Sequence, residues 1–458
     1  MHQAKLEESA TTHLSNSTIS EIKKVCRDTA HQLSDFSHII STTLQEKNLM
    51  PGIDSPPWGP VTLAYGYPGL ICCFSEMNHF FPNQKWDILS YKFVENLIAE
   101  IKNHGVIGDS LFSGYAGICF AIDMVSQENN LYPRLRKQLH KHLLERIPHH
   151  YLKPIQQSLE ASKPVSPRLY DAISGIVGIL AYLLNHAGDN ETRSCILEIL
   201  DVLVRITQPI LIDGVEVPGW VIASKDLPAS RGDMSHVQGS FDTGLAHGIS
   251  GCLAIFAKAS LVGITVPGQF ESMQRIIHWL QSHRMDLGEF KNVWPSYVQL
   301  QNQKENVTQS SHRDGWCYGA PGIVFSLFLA GCALKDSDLY DYAVDAMKSV
   351  CKRFATQNTL SCPSICHGLS GLLTIVHQMY LATKSEVFLN TSTSISEHIR
   401  KLYNKDFPFG FKSDVTHSNK QIFIDNPGFL DGASGIVLSL LFQLSDRPRP
   451  WLPIFLLG

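Results

Sequence analysis

Trp316-Cys317-Tyr318-Gly319 and Cys366-His367-Gly368 each place a cysteine two residues before a glycine that opens an apolar run. Together they offer two thiolates and an imidazole, soft ligands of the kind that hold zinc. Three protein ligands leave a fourth tetrahedral position open, and an open position is where a metal does chemistry. Forty-nine residues separate Cys317 from Cys366, so the question is what brings them together.

The answer lies in a repeat. A Gly-x-x-Gly pair followed by an apolar run occurs at Gly66, Gly114, Gly175, Gly248, Gly319, Gly368 and Gly432. The steps range from 48 to 73 residues, loose for a solenoid but with a regular local pattern. The runs after the glycines are apolar nearly all round, as buried helices are. Between them lie amphipathic stretches with apolar residues at three- and four-residue spacing. The pattern predicts an all-α fold: seven inner helices and seven outer ones, closed into an α/α toroid or barrel. Residues 1–458 read as one such domain, with one or two further outer helices in the first forty residues. The stretch from about 204 to 224 is β-branched around Asp213-Gly214 and predicts a β-hairpin, a small β-containing extension. The polar segment near 299–315 predicts a surface loop.

Set in register, the slot before the first glycine holds Tyr65, Ser113, Ser174, His247, Tyr318, His367 and Asp431. The slot before that holds Ala64, Phe112, Ile173, Ala246, Cys317, Cys366 and Leu430. In a ring these slots share one rim, so Cys317, Cys366 and His367 converge and His247 falls beside them. The other nine cysteines read as core packing. Cys362 is a competing ligand, because Cys362-x-x-x-Cys366 is itself a plausible chelating pair. His247 beside a metal is placed for proton transfer. Arg313 enters the rim from a loop, where most arginines are simply solvated. Asp171 opens a turn ending at Gly175 and reads first as a helix cap.

Composition limits the alternatives. The chain is 44% hydrophobic and 17% charged with a formal net charge of −4, which gives no electrostatic case for nucleic acid. No apolar run reaches the roughly eighteen residues of a membrane span. The polar start lacks the apolar stretch of a signal peptide, so the eleven cysteines suit a reduced, cytoplasmic setting. A glycosidase needs two carboxylates across a cleft; apart from Asp171 and Asp431 the rim offers few acids. The motifs of zinc prenyl transferases are not matched.

Trp316-Cys317-Tyr318-Gly319, Cys366-His367-Gly368, Ala246-His247-Gly248 and the seven glycine pairs make the sequence resemble the lanthionine synthetase C-like family. Within it, the chain is similar to the stand-alone cyclases of class I lantibiotic biosynthesis, from about residue 60 to the end. The resemblance implies a toroid with one Zn2+ and a reaction: cysteine thiols of a dehydrated precursor peptide add to dehydroalanine and dehydrobutyrine, forming lanthionine and methyllanthionine thioethers. It implies Cys317, Cys366 and His367 as zinc ligands, with His247, Arg313, Asp171 and Tyr318 around the metal serving catalysis. A dehydratase and an ABC exporter as partners, and peripheral contact with the membrane, are expectations of the same kind. The competing expectation is a zinc-containing protein that binds peptides or glutathione without cyclase activity. A fourth protein ligand such as Cys362 would favour it.

Overall fold

The computed structural model describes residues 14–458 except 51–53, 127–130, 228–238, 301–313, 358–359 and 418–419. Seven helices begin at the repeat glycines: Tyr67–Phe80, Tyr115–Ser126, Ile176–Leu183, Ile249–Leu261, Ala320–Leu334, Leu369–Thr383 and Ala433–Gln443. Their side chains are almost all buried, from Ala320 through Gly331 without interruption in the fifth. Six are followed by an outer helix packed against them: Trp86–His104, Pro133–Ile147, Asn190–Ile206, Gln269–Ser282, Ser337–Thr356 and Glu386–Leu402. The seventh inner helix is covered by Asn16–Gln32 from the start of the chain. There Cys26 Sγ lies 3.9 Å from the Val437 carbonyl.

Backbone hydrogen bonds join neighbouring repeats at or beside the slots that the repeats define. Ala64 N donates to Phe112 O (3.0 Å), Ala172 N to Ala246 O (2.9 Å) and Ala246 N to Cys317 O (3.4 Å). Cys317 N donates to Cys366 O (3.0 Å), Cys366 N to Leu430 O (3.0 Å) and Leu430 N to Ala64 O (3.2 Å). The last bond joins the seventh repeat to the first. Glycine permits this closeness. A Cβ on Gly371 would stand 2.1 Å from Ile365 O and 3.0 Å from Trp316 Cβ of the preceding repeat. One on Gly69 would stand 2.6 Å from Phe429 Cβ, across the closing seam. At Gly319 the φ of +109° is itself a conformation that favours glycine.

The middle of the ring is filled by the segment after the last inner helix. Trp451, Leu452, Ile454, Phe455 and Leu456 are fully buried. The Phe455 ring lies 5.8 Å from that of Phe112, 5.0 Å from Trp316 and 5.3 Å from Phe429. Those three belong to the second, fifth and seventh repeats, so only an axial position reaches them all. Trp316 Nε1 donates to Phe455 O at 2.8 Å, and Lys258 Nζ bonds to Gly458 O. The toroid is a packed body, not an open ring.

The hairpin occupies only the middle of 204–224, and further strands extend the β-structure beyond it. The hairpin is Ile210–Ile212 with Val215–Val217, paired antiparallel with Ile212 opposite Val215. Its turn residues Asp213 and Gly214 have φ of +50° and +78°, the left-handed pair of a tight hairpin turn. Residues 204–206 instead finish the helix Asn190–Ile206, where Val204 and Ile206 are buried. Packing of an amphipathic face outweighs β-branching there. Ile222–Ala223 joins Gly239–Asp242 and Tyr297–Gln299 in a three-stranded antiparallel sheet. That sheet runs directly into the His247 loop. The expected loop near 299–315 thus begins after a strand, and its residues 301–313 lie outside the described part. Two more hairpins are Met285–Leu287 with Phe290–Val293 and Ser413–His417 with Lys420–Ile424. No helix among the described residues is long and apolar enough to cross a membrane.

Candidate metal centre and its proton-transfer pair

Because Cys317 and Cys366 are joined backbone to backbone, their thiols meet as a hydrogen-bonded pair. The hydrogen bond from Cys366 draws the Cys317 thiol below its ordinary range against the opposing effect of burial, with help from His367 and His247. The same bond, with burial, pushes Cys366 well up.

Cys366, His367 and Asp431 form a cluster whose ligand atoms all lie within 4.8 Å of one another. His367 Nδ1 is 3.3 Å from Asp431 Oδ1, and its Nε2 is 3.4 Å from the Asp414 carbonyl. Burial favours the neutral ring, but the side chains of Asp431 and Cys362 and their charges raise the His367 pKa to about 12. Asp431 is held below the usual carboxylate range: burial opposes this, and the His367 imidazole, the Tyr65 hydroxyl and the Cys366 thiol outweigh it. Tyr65 Oη donates to Asp431 Oδ2 at 2.7 Å, while Oδ1 is buried without a hydrogen bond of ordinary geometry. Cys362 bonds to His367 and, at 3.3 Å, to Ser364 Oγ.

These donors fit zinc. Bonds of about 2.0–2.3 Å in a tetrahedron put ligand atoms roughly 3.3–3.8 Å apart, and the imidazole–carboxylate distance falls at the edge of that interval. Sulfur, nitrogen and a single carboxylate are also the donor types zinc takes. Nδ1 faces the cluster and Nε2 the Asp414 carbonyl. That is the division of labour expected of a ligand histidine.

A second imidazole, that of His247, interacts electrostatically with Cys317. Asp171, almost wholly buried, uses its two oxygens differently. Oδ1 accepts from the backbone N–H groups of Ile173 (3.1 Å), Ser174 (2.6 Å) and Gly175 (3.0 Å). Oδ2 is 2.7 Å from His247 Nδ1. The cap and the histidine partner are one carboxylate. Burial lowers the His247 pKa, but the Asp171 bond and charge, with Asp242 and Cys317, raise it overall. The Tyr318 ring lies 6.2 Å from the His247 ring. Tyr318 Oη donates to Asp242 Oδ2 at 2.9 Å and is bonded to Tyr297 Oη. Asp242 Oδ1 accepts from Gly244 N at 2.8 Å.

The structure thus gathers Cys317, Cys366, His367, His247, Asp171 and Tyr318 on one rim; Arg313 lies outside the described residues. Sequence reasoning placed Asp431 and Tyr65 in the rim slot of His367, in the seventh and first repeats, but gave neither a role at the metal. It had no signal for Asp242 or Tyr297, which come from the added sheet. A cavity of about 400 Å³ opens beside the cluster, lined by Met50, Tyr65, Cys362, His367, Asp414 and Asp431 among others.

A closed α/α toroid carries Cys, Cys and His on adjoining repeats of one rim, and sequence comparison gives the chain a family. The profile described as lanthionine synthetase C-like protein matches residues 57–456, and the chain belongs to that family. It is 26% identical over 413 residues to the nisin biosynthesis protein NisC of Lactococcus lactis subsp. lactis, covering 87% of this chain and 90% of NisC. The solved structure of a nisin cyclase superposes with a TM-score of 0.71 at 24% identity, over 87% of this chain and 92% of that one. That likeness shows the toroid fold.

Proposed function

We propose that the protein is a zinc-dependent lantibiotic cyclase that closes thioether rings in a dehydrated precursor peptide. The observation that carries this reading is the meeting of Cys317, Cys366 and His367 beside the Asp171–His247 pair on one rim. Cys317, Cys366 and His367 would hold one Zn2+, which when bound supplies the positive charge against which a substrate cysteine ionises near neutral pH.

The sulfur–carbon bond forms at the β-carbon of dehydroalanine or dehydrobutyrine. The π electrons move to an enolate, and the α-carbon then takes a proton. His247 carries that proton on Nε2, with Asp171 fixing the ring through Nδ1 and favouring its charged form. Tyr318, oriented by Asp242, offers its hydroxyl to the same centre, and Arg313 stabilises the enolate charge. The cavity beside Tyr65 and His367 receives the peptide next to the reacting cysteine. A dehydratase supplies the substrate and an exporter removes the product. The protein works in the cytoplasm, with peripheral contact at the membrane.

The test is mass spectrometry with thiol alkylation on a dehydrated precursor incubated with the protein, with zinc measured in the same sample. Loss of alkylatable thiols without change of mass is the expected result. Thiols that stay alkylatable in the zinc-loaded protein would overturn the reading. The second reading, a closed zinc site in a peptide- or glutathione-binding protein, draws on the reach of Asp431 to His367 and Cys366. It predicts zinc at full occupancy and no cyclisation.

A further inference from the structure

The three-stranded sheet hands two side chains to the rim. Asp242 ends the strand Gly239–Asp242 and lies directly opposite Tyr297 in the strand Tyr297–Gln299. Phe241 and Val298, the next pair, are fully buried. Thr243 N donates to Ser296 O at 3.1 Å and Thr243 Oγ1 to Pro295 O at 2.5 Å, so the two strand ends are stitched together at the rim. Asp242 and Tyr297 converge on one atom, the Tyr318 hydroxyl oxygen. Tyr318 Oη donates to Asp242 Oδ2 at 2.9 Å. A hydroxyl has one hydrogen, so in its bond to Tyr297 it accepts, and Tyr297 Oη is the donor. The Tyr318 ring is held as closely. A Cβ on Gly244 would stand 2.8 Å from its Cδ1, and the ring lies 5.6 Å from that of Tyr297 and 6.2 Å from that of His247. Tyr318 follows Cys317 in the chain, so one side chain joins the Cys317 loop, the His247 imidazole and the sheet.

We propose that Tyr297 is a positioning residue for ring closure: its hydroxyl completes, with Asp242, a clamp that fixes Tyr318 beside His247, which makes the added sheet part of the working rim. The inference rests on the cyclase reading above and gives the sheet a task in it. A tyrosine hydroxyl sweeps an arc as its side chain turns. Two hydrogen bonds to that oxygen, both anchored in paired strands, remove the freedom before a peptide arrives. A group ordered in the folded protein needs no ordering during the reaction, so the clamp acts on turnover more than on binding. Tyr297 works through Tyr318 and need not touch the peptide.

The test uses two measurements on the zinc-loaded full-length protein. In the cyclisation assay, Tyr297→Phe removes one hydroxyl and keeps the ring. It is expected to lower kcat by about two- to tenfold, the worth of one neutral hydrogen bond, with KM and zinc per chain unchanged. In a Tyr318→Phe background the same substitution is expected to have no further effect, because the group it acts through is gone. The second measurement needs no turnover: the 19F resonance of 3-fluorotyrosine placed at position 318, which Tyr297→Phe is expected to shift or broaden. Asp242→Asn serves if the first variant does not fold. Its Oδ1 still accepts from Gly244 N, but an amide then faces the Tyr318 hydrogen, so the resonance is expected to move further. A Tyr297 that merely packs predicts losses that add in the double variant. That result, an unchanged kcat, or an unmoved resonance overturns the proposal. Wild-type protein that fails to cyclise would sink the cyclase reading, and the resonance would still decide the clamp.

Discussion

Replacing Asp171 by asparagine separates its two jobs. The backbone cap needs an acceptor at Oδ1, which asparagine retains, so the three N–H groups of Ile173, Ser174 and Gly175 stay satisfied. What is lost is the negative oxygen 2.7 Å from His247 Nδ1. A hydrogen bond to a charged partner contributes about 1.5–3 kcal/mol. The His247 side chain is 40% exposed, so solvent screening favours the lower end, about 1.5 kcal/mol. If that energy holds the imidazolium ready to protonate carbon, the cyclisation rate falls by roughly tenfold.

The pH dependence has a definite sign. His247 is raised above its ordinary value in the folded protein. The pair therefore contributes stability that is fully present below the unfolded histidine value of about 6.5 and is lost as pH rises through the folded one. A rate that needs the charged ring falls on the alkaline side, and Asp171→Asn shifts that limb to lower pH. Alkylation-coupled mass spectrometry across the pH range, with thermal unfolding alongside, measures all three quantities. Asp171→Ala is the contrast: it also removes the cap and is expected to cost about 2 kcal/mol of stability. An asparagine variant with wild-type rate and an unmoved alkaline limb would refute the assignment of His247 as the proton carrier.

Cys366→Ala and His367→Ala each remove a donor from the cluster, and zinc per chain, measured by atomic emission after dialysis, should fall toward zero in both. Gly371→Ala drives a Cβ to 2.1 Å from Ile365 O, backbone that cannot swing aside. It should cost about 1–3 kcal/mol in denaturant unfolding, whereas Gly188→Ala, with nothing within 4 Å of the new carbon, should be close to neutral. Phe455→Ala empties the ring axis, and as a buried aromatic lost from a packed core it should cost about 3–5 kcal/mol by the same measurement.

The toroid was legible because one physical requirement repeats seven times. Each inner helix starts where backbone packs on backbone, so each start needs glycine, and glycine is visible in a sequence. The rim slots came with that register, which is why Cys317, Cys366, His367 and His247 could be brought together across nearly 120 residues of chain. Less visible was anything that depends on a side chain reaching out of its repeat. The 451–458 segment reads as a short apolar tail, and only the ring around it turns it into an axis packed by Phe112, Trp316 and Phe429. Val204 and Ile206 carry a strand-like signature that the amphipathic pattern of their helix overrides.

Asp431 shows where slot reasoning stops and geometry begins. Its position in the register equals that of His367, one repeat on, so its nearness to the cluster follows from the ring. Its orientation does not. Tyr65 fixes that orientation, and Tyr65 lies 366 residues away in sequence, adjacent only because the seventh repeat closes on the first. The same closure that turns seven helix pairs into a toroid thus decides which oxygen of Asp431 faces His367. A site spread over the seam depends on the ring being shut. Loosening the seam, as a side chain at Gly69 against Phe429 would, should disturb the metal centre before it unfolds the barrel.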